Sequence, residues 1–134
     1  MQASLNDIQK LKLPVLQDHR GTLQILQEDE LPLDRIQRTF IIKANSNTKR
    51  GYHSHKRCSQ LMVCLQGDID IFCDDGGKTK TYSLQETDSI IVPPGIWSHQ
   101  EYKGESNILA VWCDMKFEEK DYIRTYEEFV KSKK

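Results

Sequence analysis

The stretch "RGYHSHKRCSQ", residues 50–60, sets two histidines, His53 and His55, two positions apart between Arg50 and Lys56. Imidazole titrates near neutral pH, so two neighbouring rings can serve as base and proton shuttle. The same pair can be half of a divalent-metal site, or simply polar residues on a strand. Gln60 bears on the choice, because an amide is a weaker metal ligand than a carboxylate and neutralises no charge. Three histidines, His53, His55 and His99, with Gln60, remain a conceivable zinc set. The flanking cations point to an anionic ligand: arginine offers a planar fork matching phosphate oxygens and lysine a point charge. Arg50 and Lys56 are the nearest candidates, with Arg20 in "DHRG" and Arg38 in "QRTF" further ones. Trp97 and Tyr102 are candidate walls for a ligand pocket, with core packing as the plainer reading.

These groups must be positioned by strands. Residues two apart on a strand share a face, so His53 and His55 project together, with Tyr52 and Ser54 opposite. In a small barrel that shared side is the interior or the mouth. Short β-like runs recur along the chain: "GTLQILQ", "RTFIIKA", "QLMVCLQGDIDIFCDD" broken at Gly67, "KTKTYSL" after a "DDGGK" hairpin turn, "DSIIVPPG" and "NILAVWCDM". In "GDIDIF", Ile69 and Ile71 share one face and Asp68 and Asp70 the other. Such strands predict an antiparallel sandwich or barrel. Helix is expected only at the ends: a short one in "SLNDIQKL" capped by Ser4, and one in "EEKDYIRTYEEFVKSKK" with Tyr122, Tyr126 and Phe129 as a packing stripe.

The 134 residues predict a single domain, 1–134. A net charge of −1 supplies no global field for nucleic acid or a membrane surface, so anion recognition must come from local cations. Nothing resembles a secretory signal, and no apolar run approaches the roughly 20 residues of a membrane span. Cys58, Cys64, Cys73 and Cys113 form no CxxC pair, which predicts reduced, mostly buried thiols and a cytoplasmic setting.

The order His53, His55, Gln60, Gly67, then Pro93, Gly95 and His99 resembles the two motifs of the cupin superfamily. A longer series, "DHRGTL", "RGYHSHK" with Gln60, "VPPGIW" and "DYIRTYEEF", resembles the metal-free sugar-nucleotide 3,4-ketoisomerases of the WxcM-like family, from about Leu13 to Phe129. The resemblance implies a mainly β fold, a cupin-type jelly-roll barrel with short terminal helices, and a homodimer that exchanges N-terminal strands. It implies a thymidine-diphosphate-linked 4-keto-6-deoxyhexose as substrate, no metal and no organic cofactor, and a place in deoxyamino-sugar or surface-polysaccharide biosynthesis. His55 matches the family's principal base, His53 its partner, and Arg50 its motif arginine. Gln60, Arg20, Arg38, Lys56, Trp97 and His99 complete the candidate substrate contacts. The family often has tyrosines in the strand before "RGxHxHK", one of them implicated in the active site; this chain has Phe40 and Ile41 there. A related epimerase, a metal-dependent cupin and a non-catalytic binding module are the alternatives.

Overall fold

The β-rich runs form twelve strands in the computed structural model, which describes residues 2–27, 31 and 33–134. In chain order they are β1 (Gln9–Leu11), β2 (Val15–Asp18), β3 (Gly21–Gln24), β4 (Arg38–Asn45), β5 (Thr48–His55), β6 (Gln60–Gln66), β7 (Asp68–Asp74), β8 (Thr79–Gln85), β9 (Ser89–Val92), β10 (Trp97–Tyr102), β11 (Ser106–Cys113) and β12 (Tyr122–Ile123). A single α-helix among the described residues, α1 (Tyr126–Ser132), follows. Ten strands make two antiparallel sheets, in the orders β1-β9-β6-β11-β4 and β12-β5-β10-β7-β8; β2 and β3 pair only with each other. The result is the expected jelly-roll sandwich.

Between the sheets, Met62 and Cys64 of β6 meet Ile69 and Ile71 of β7 and Leu109 and Val111 of β11, all essentially buried. The alternate residues of β6, Leu61 and Val63, are buried too, because Leu13, Leu31 and Leu33 cover the sheet's outer face. That double cover is why "QLMVC" reads as an unbroken apolar run rather than an alternating one. Full burial of each such side chain is worth about 1.5–3 kcal/mol. All four cysteines are free and buried.

Both ends depart from expectation. Only Leu5–Asp7 is helical near the N-terminus, a 3-10 turn closed by a Ser4–Asp7 capping box. The next residues join the sheet, where Gln9–Leu11 pair with β9. At the C-terminus, Thr125 caps α1 through its side chain, so the helix starts at Tyr126. Tyr122 and Ile123 instead pair with His55 and Ser54 of β5. Sheet pairing there removes Tyr122 from the predicted helical stripe; Phe129, fully buried, remains in it.

Asn107 ties the β6–β7 turn to the start of β11. Its Oδ1 accepts from the backbone N–H groups of Asp68 at 3.1 Å and Gly104 at 3.0 Å, and its Nδ2 donates to the carbonyls of Ala44 at 3.2 Å and Gly104 at 2.9 Å. The side chain is 1% exposed, so its removal strands four backbone groups. Asn107→Ala is expected to lower unfolding free energy by at least about 3 kcal/mol. Urea denaturation of both proteins measures this.

Candidate active site

A bulge in β5 arranges the site. Opposite β10, Ser98 pairs with His53 and His99 with Gly51, so Tyr52 is an extra residue with no counterpart. Gly51 (φ 104°) and Tyr52 (φ 61°) absorb the irregularity with left-handed backbone. Glycine is required at 51, since a Cβ there would sit 3.0 Å from the His99 Cα and 3.2 Å from the Ser98 carbonyl oxygen. The extra residue shifts the alternation. Arg50 pairs with Gln100, two along from Ser98, and so faces the same side as His53. Arg50, His53, Gln60, Gln100, Tyr122 and Arg124 line one cavity of about 260 Å³, with Phe40, Ile42, Met62 and Val111 as its apolar wall.

His55 lies next to this cavity and is 6% exposed. Its Nδ1 is 2.9 Å from Oδ2 of Asp121, itself 2% exposed, whose Oδ1 accepts the Arg57 N–H at 2.7 Å. With the carboxylate as acceptor, Nδ1 carries the hydrogen and Nε2 keeps its lone pair. That Nε2 is buried and has no hydrogen-bond partner among the described residues. The His53 and His55 rings meet edge to face at 5.1 Å, and Tyr122 packs on both, 4.4 Å from His55 and 5.1 Å from His53. Arg38 Nη2 donates to the Tyr122 hydroxyl at 3.2 Å, and the Arg124 guanidinium lies 4.2 Å above the Tyr122 ring.

Beneath these groups, the Cys113 sulfur accepts from Gln60 Nε2 and from Arg38 Nη2, each at 3.5 Å. Donation from Cys58, then from Gln60 and Arg38, holds the Cys113 thiol below its ordinary range against the opposing effect of burial. Gln60 is thereby tethered to β11 and orients neither histidine.

Burial governs the histidines. It pushes His53 down to about 4, helped by the neighbouring His55 and by Arg124 and Arg38, while the Gly51 carbonyl pulls weakly the other way. His55 is also lowered, chiefly by burial, with Asp121 opposing. Burial therefore favours the neutral form of both rings.

Of the residues singled out by sequence, the fold brings together His53, His55, Arg50 and Gln60, and puts Arg38 behind Tyr122. Four others lie apart. His99 is on the opposite face of β10, stacked on Tyr52 at 4.5 Å and Phe72 at 4.9 Å, so no three-histidine metal set is assembled. Trp97, on that same outer face, packs against Tyr126 and Phe129 and anchors α1. Lys56 lines a second recess, together with His55, Pro93, Pro94 and Lys133. Arg20 sits at the exposed tip of the β2–β3 hairpin, paired with Asp18 at 2.6 Å. Sequence reasoning missed Asp121, Tyr122, Gln100 and Arg124. Asp121, Tyr122 and Arg124 lie within "DYIRTYEEF", where the expectation of helix obscured them.

The jelly roll with a histidine pair at one end of its interior is a cupin-like architecture, and comparison with known proteins narrows the class. Residues 6–134 match the family model described as FdtA, WxcM-like, C-terminal, and the chain belongs to that family. It is 28% identical to the TDP-4-oxo-6-deoxy-alpha-D-glucose-3,4-oxoisomerase of Aneurinibacillus thermoaerophilus, over 85% of this chain and 84% of that protein. Among solved structures it resembles QdtA, a sugar 3,4-ketoisomerase of Thermoanaerobacterium thermosaccharolyticum bound to TDP, with a TM-score of 0.90 and 26% identity over 96% of both chains. A histidine-to-asparagine variant of QdtA, solved with TDP-4-keto-6-deoxyglucose, is equally similar in fold (TM-score 0.90, 25% identity, 96% of this chain and 95% of that one). The WlaRB TDP-quinovose 3,4-ketoisomerase of Campylobacter jejuni gives a TM-score of 0.86 and 26% identity over 95% of this chain and 99% of that one.

The depressed His53 has a sign that can be tested. In the unfolded chain histidine protonates near 6.5, whereas folded His53 does so near 4, so between these values the unfolded state holds more protons. This contribution therefore falls as pH drops from about 6.5 towards 4. The melting temperature is expected to decline over that range, and His53→Gln to decline less steeply. Calorimetry from pH 7 to pH 4.5 on both proteins reads the difference.

Proposed function

We propose that this protein is a 3,4-ketoisomerase of thymidine-diphosphate-linked 4-keto-6-deoxyhexoses, working by histidine acid–base chemistry. The observation that carries the proposal is the neutral pair His53 and His55, side by side at a cavity with cations at its rim, in a chain of this family. His53 lines the cavity and takes the proton from carbon 3. Charge then develops on the oxygen at carbon 4, where the arginines around the cavity stabilise the enediolate. His55 stands behind, held by Asp121 and edge to face against His53, and positions the His53 ring. These roles exchange those implied by the motif resemblance alone, because His53 lines the cavity and His55 is the more deeply set. Arg50, at the rim, is assigned to the diphosphate, and Arg124, stacked on Tyr122, to the enediolate. No metal and no organic cofactor take part in this reading.

We further propose a homodimer with exchanged N-terminal strands. The β2–β3 hairpin pairs only with itself and exposes Leu16 (63%) and Leu23 (57%). A lone two-stranded hairpin is marginal in water, and a second copy would bury those leucines. Arg20 rides on that hairpin, so its contact with substrate depends on the exchange. The product class suits deoxyamino-sugar biosynthesis for surface polysaccharides, and a cytoplasmic setting fits a nucleotide-sugar enzyme. No helix among the described residues is long and apolar enough to cross a membrane.

Proton NMR of thymidine-diphosphate 4-keto-6-deoxyglucose incubated with the protein in deuterated water tests the reaction. The expected product carries its ketone at carbon 3 and deuterium at carbon 4. Deuterium at carbon 3 or 5 with an unmoved ketone would make the protein an epimerase instead. His53→Asn and His55→Asn are each expected to lower turnover by about 10²-fold or more with the fold intact.

A further inference from the structure

We propose that Tyr122 is the catalytic acid that delivers the proton to carbon 4; the role rests on the ketoisomerase reading above. Ketone migration needs two carbon-centred proton transfers, and His53 accounts for one. The other needs a donor that touches the sugar. Among the described residues lining the cavity, His53 and Tyr122 are the two proton donors other than the permanently charged arginines and the amides. The edge strand β4 contributes Phe40 and Ile42 to this wall and so supplies no phenol.

Tyr122 is built for the task by three contacts. The β12–β5 pairing sets it directly opposite His55, and its ring rests on both imidazoles. Arg38 donates to the phenol oxygen at 3.2 Å, which leaves the phenol's own hydrogen free to point elsewhere. The same guanidinium, held over the rings of Phe40 at 5.3 Å and Phe117 at 5.4 Å, stands ready to stabilise the phenolate that remains after transfer.

The steps balance. The C3–H bond breaks, its proton goes to His53, and its electron pair forms the C3=C4 double bond with charge on the carbon-4 oxygen. The carbon-3 hydroxyl proton passes to that adjacent oxygen. The C3=O bond then forms as the double-bond electrons take the proton from the Tyr122 O–H. The imidazolium of His53 finally returns a proton to the phenolate, restoring both groups. No electron acceptor or further reactant enters.

Tyr122→Phe separates this role from its neighbours when followed by NMR in deuterated water. The variant should still exchange the carbon-3 proton of the substrate while ketone migration falls about 10²-fold or more, with TDP affinity within about twofold of wild type. Undiminished migration overturns the role while leaving the ketoisomerase reading intact. Loss of carbon-3 exchange along with migration also overturns it, since Tyr122 would then serve the first step or binding. A wild-type protein that neither exchanges nor converts overturns the reaction itself, and the acid with it. Should Tyr122→Phe not fold, 3-fluorotyrosine at position 122 preserves the hydroxyl and makes it more acidic. The alkaline limb of kcat should then move to lower pH, and an unmoved limb overturns the proposal.

Discussion

A buried carboxylate organises this end of the molecule. Asp121 is 2% exposed, and an ionised group so placed is tolerated only if its oxygens are bonded. One oxygen takes the Arg57 N–H, the other meets His55 Nδ1, and the Asp121 carbonyl accepts the Lys56 N–H at 2.8 Å. These bonds fasten the C-terminal segment to the end of β5. They also set the His55 tautomer and bring Tyr122, the next residue, against both imidazoles. One set of contacts therefore closes the fold and fixes the geometry of the histidine pair.

The β5 bulge is the second constraint. Were β5 regular through Tyr52, Arg50 and His53, three residues apart, would face opposite sides. Left-handed backbone at Tyr52 costs about 1–2 kcal/mol, which the pairing on either side offsets. That cost sets a guanidinium and an imidazole on one wall. The fixed glycine at 51 keeps β10 close enough for Gln100 to complete it.

The surroundings are as selective as the residues. Phe40, Ile42, Met62 and Val111 make an apolar wall beside His53, and the low dielectric there favours its neutral form and strengthens the field of the nearby arginines. Where β4 lacks a phenol, β12 places one from the far end of the chain. The cavity's chemistry depends on which side chains converge there more than on which strand carries them.

Much of the architecture was written in local pattern. Alternation in "GDIDIF", the glycine break at 67 and the "DDGGK" turn are short-range signals, because strand period and turn geometry act over a few residues. The shared face of His53 and His55 followed from the same period, and the family motifs brought Arg50 and Gln60 with them. The remaining features were long-range. Tyr122 read as part of a helical stripe because its pairing with His55, 67 residues earlier, has no local signature. His99 and Trp97 lay inside a recognisable motif, yet β10's register turned them to the outer face, where a one-residue shift reverses every side chain. Residue types and short spacings thus determined the class of fold and the presence of a histidine pair. Only tertiary pairing decided which carboxylate, phenol and arginines surround it, because those contacts join segments whose positions no neighbouring residue encodes.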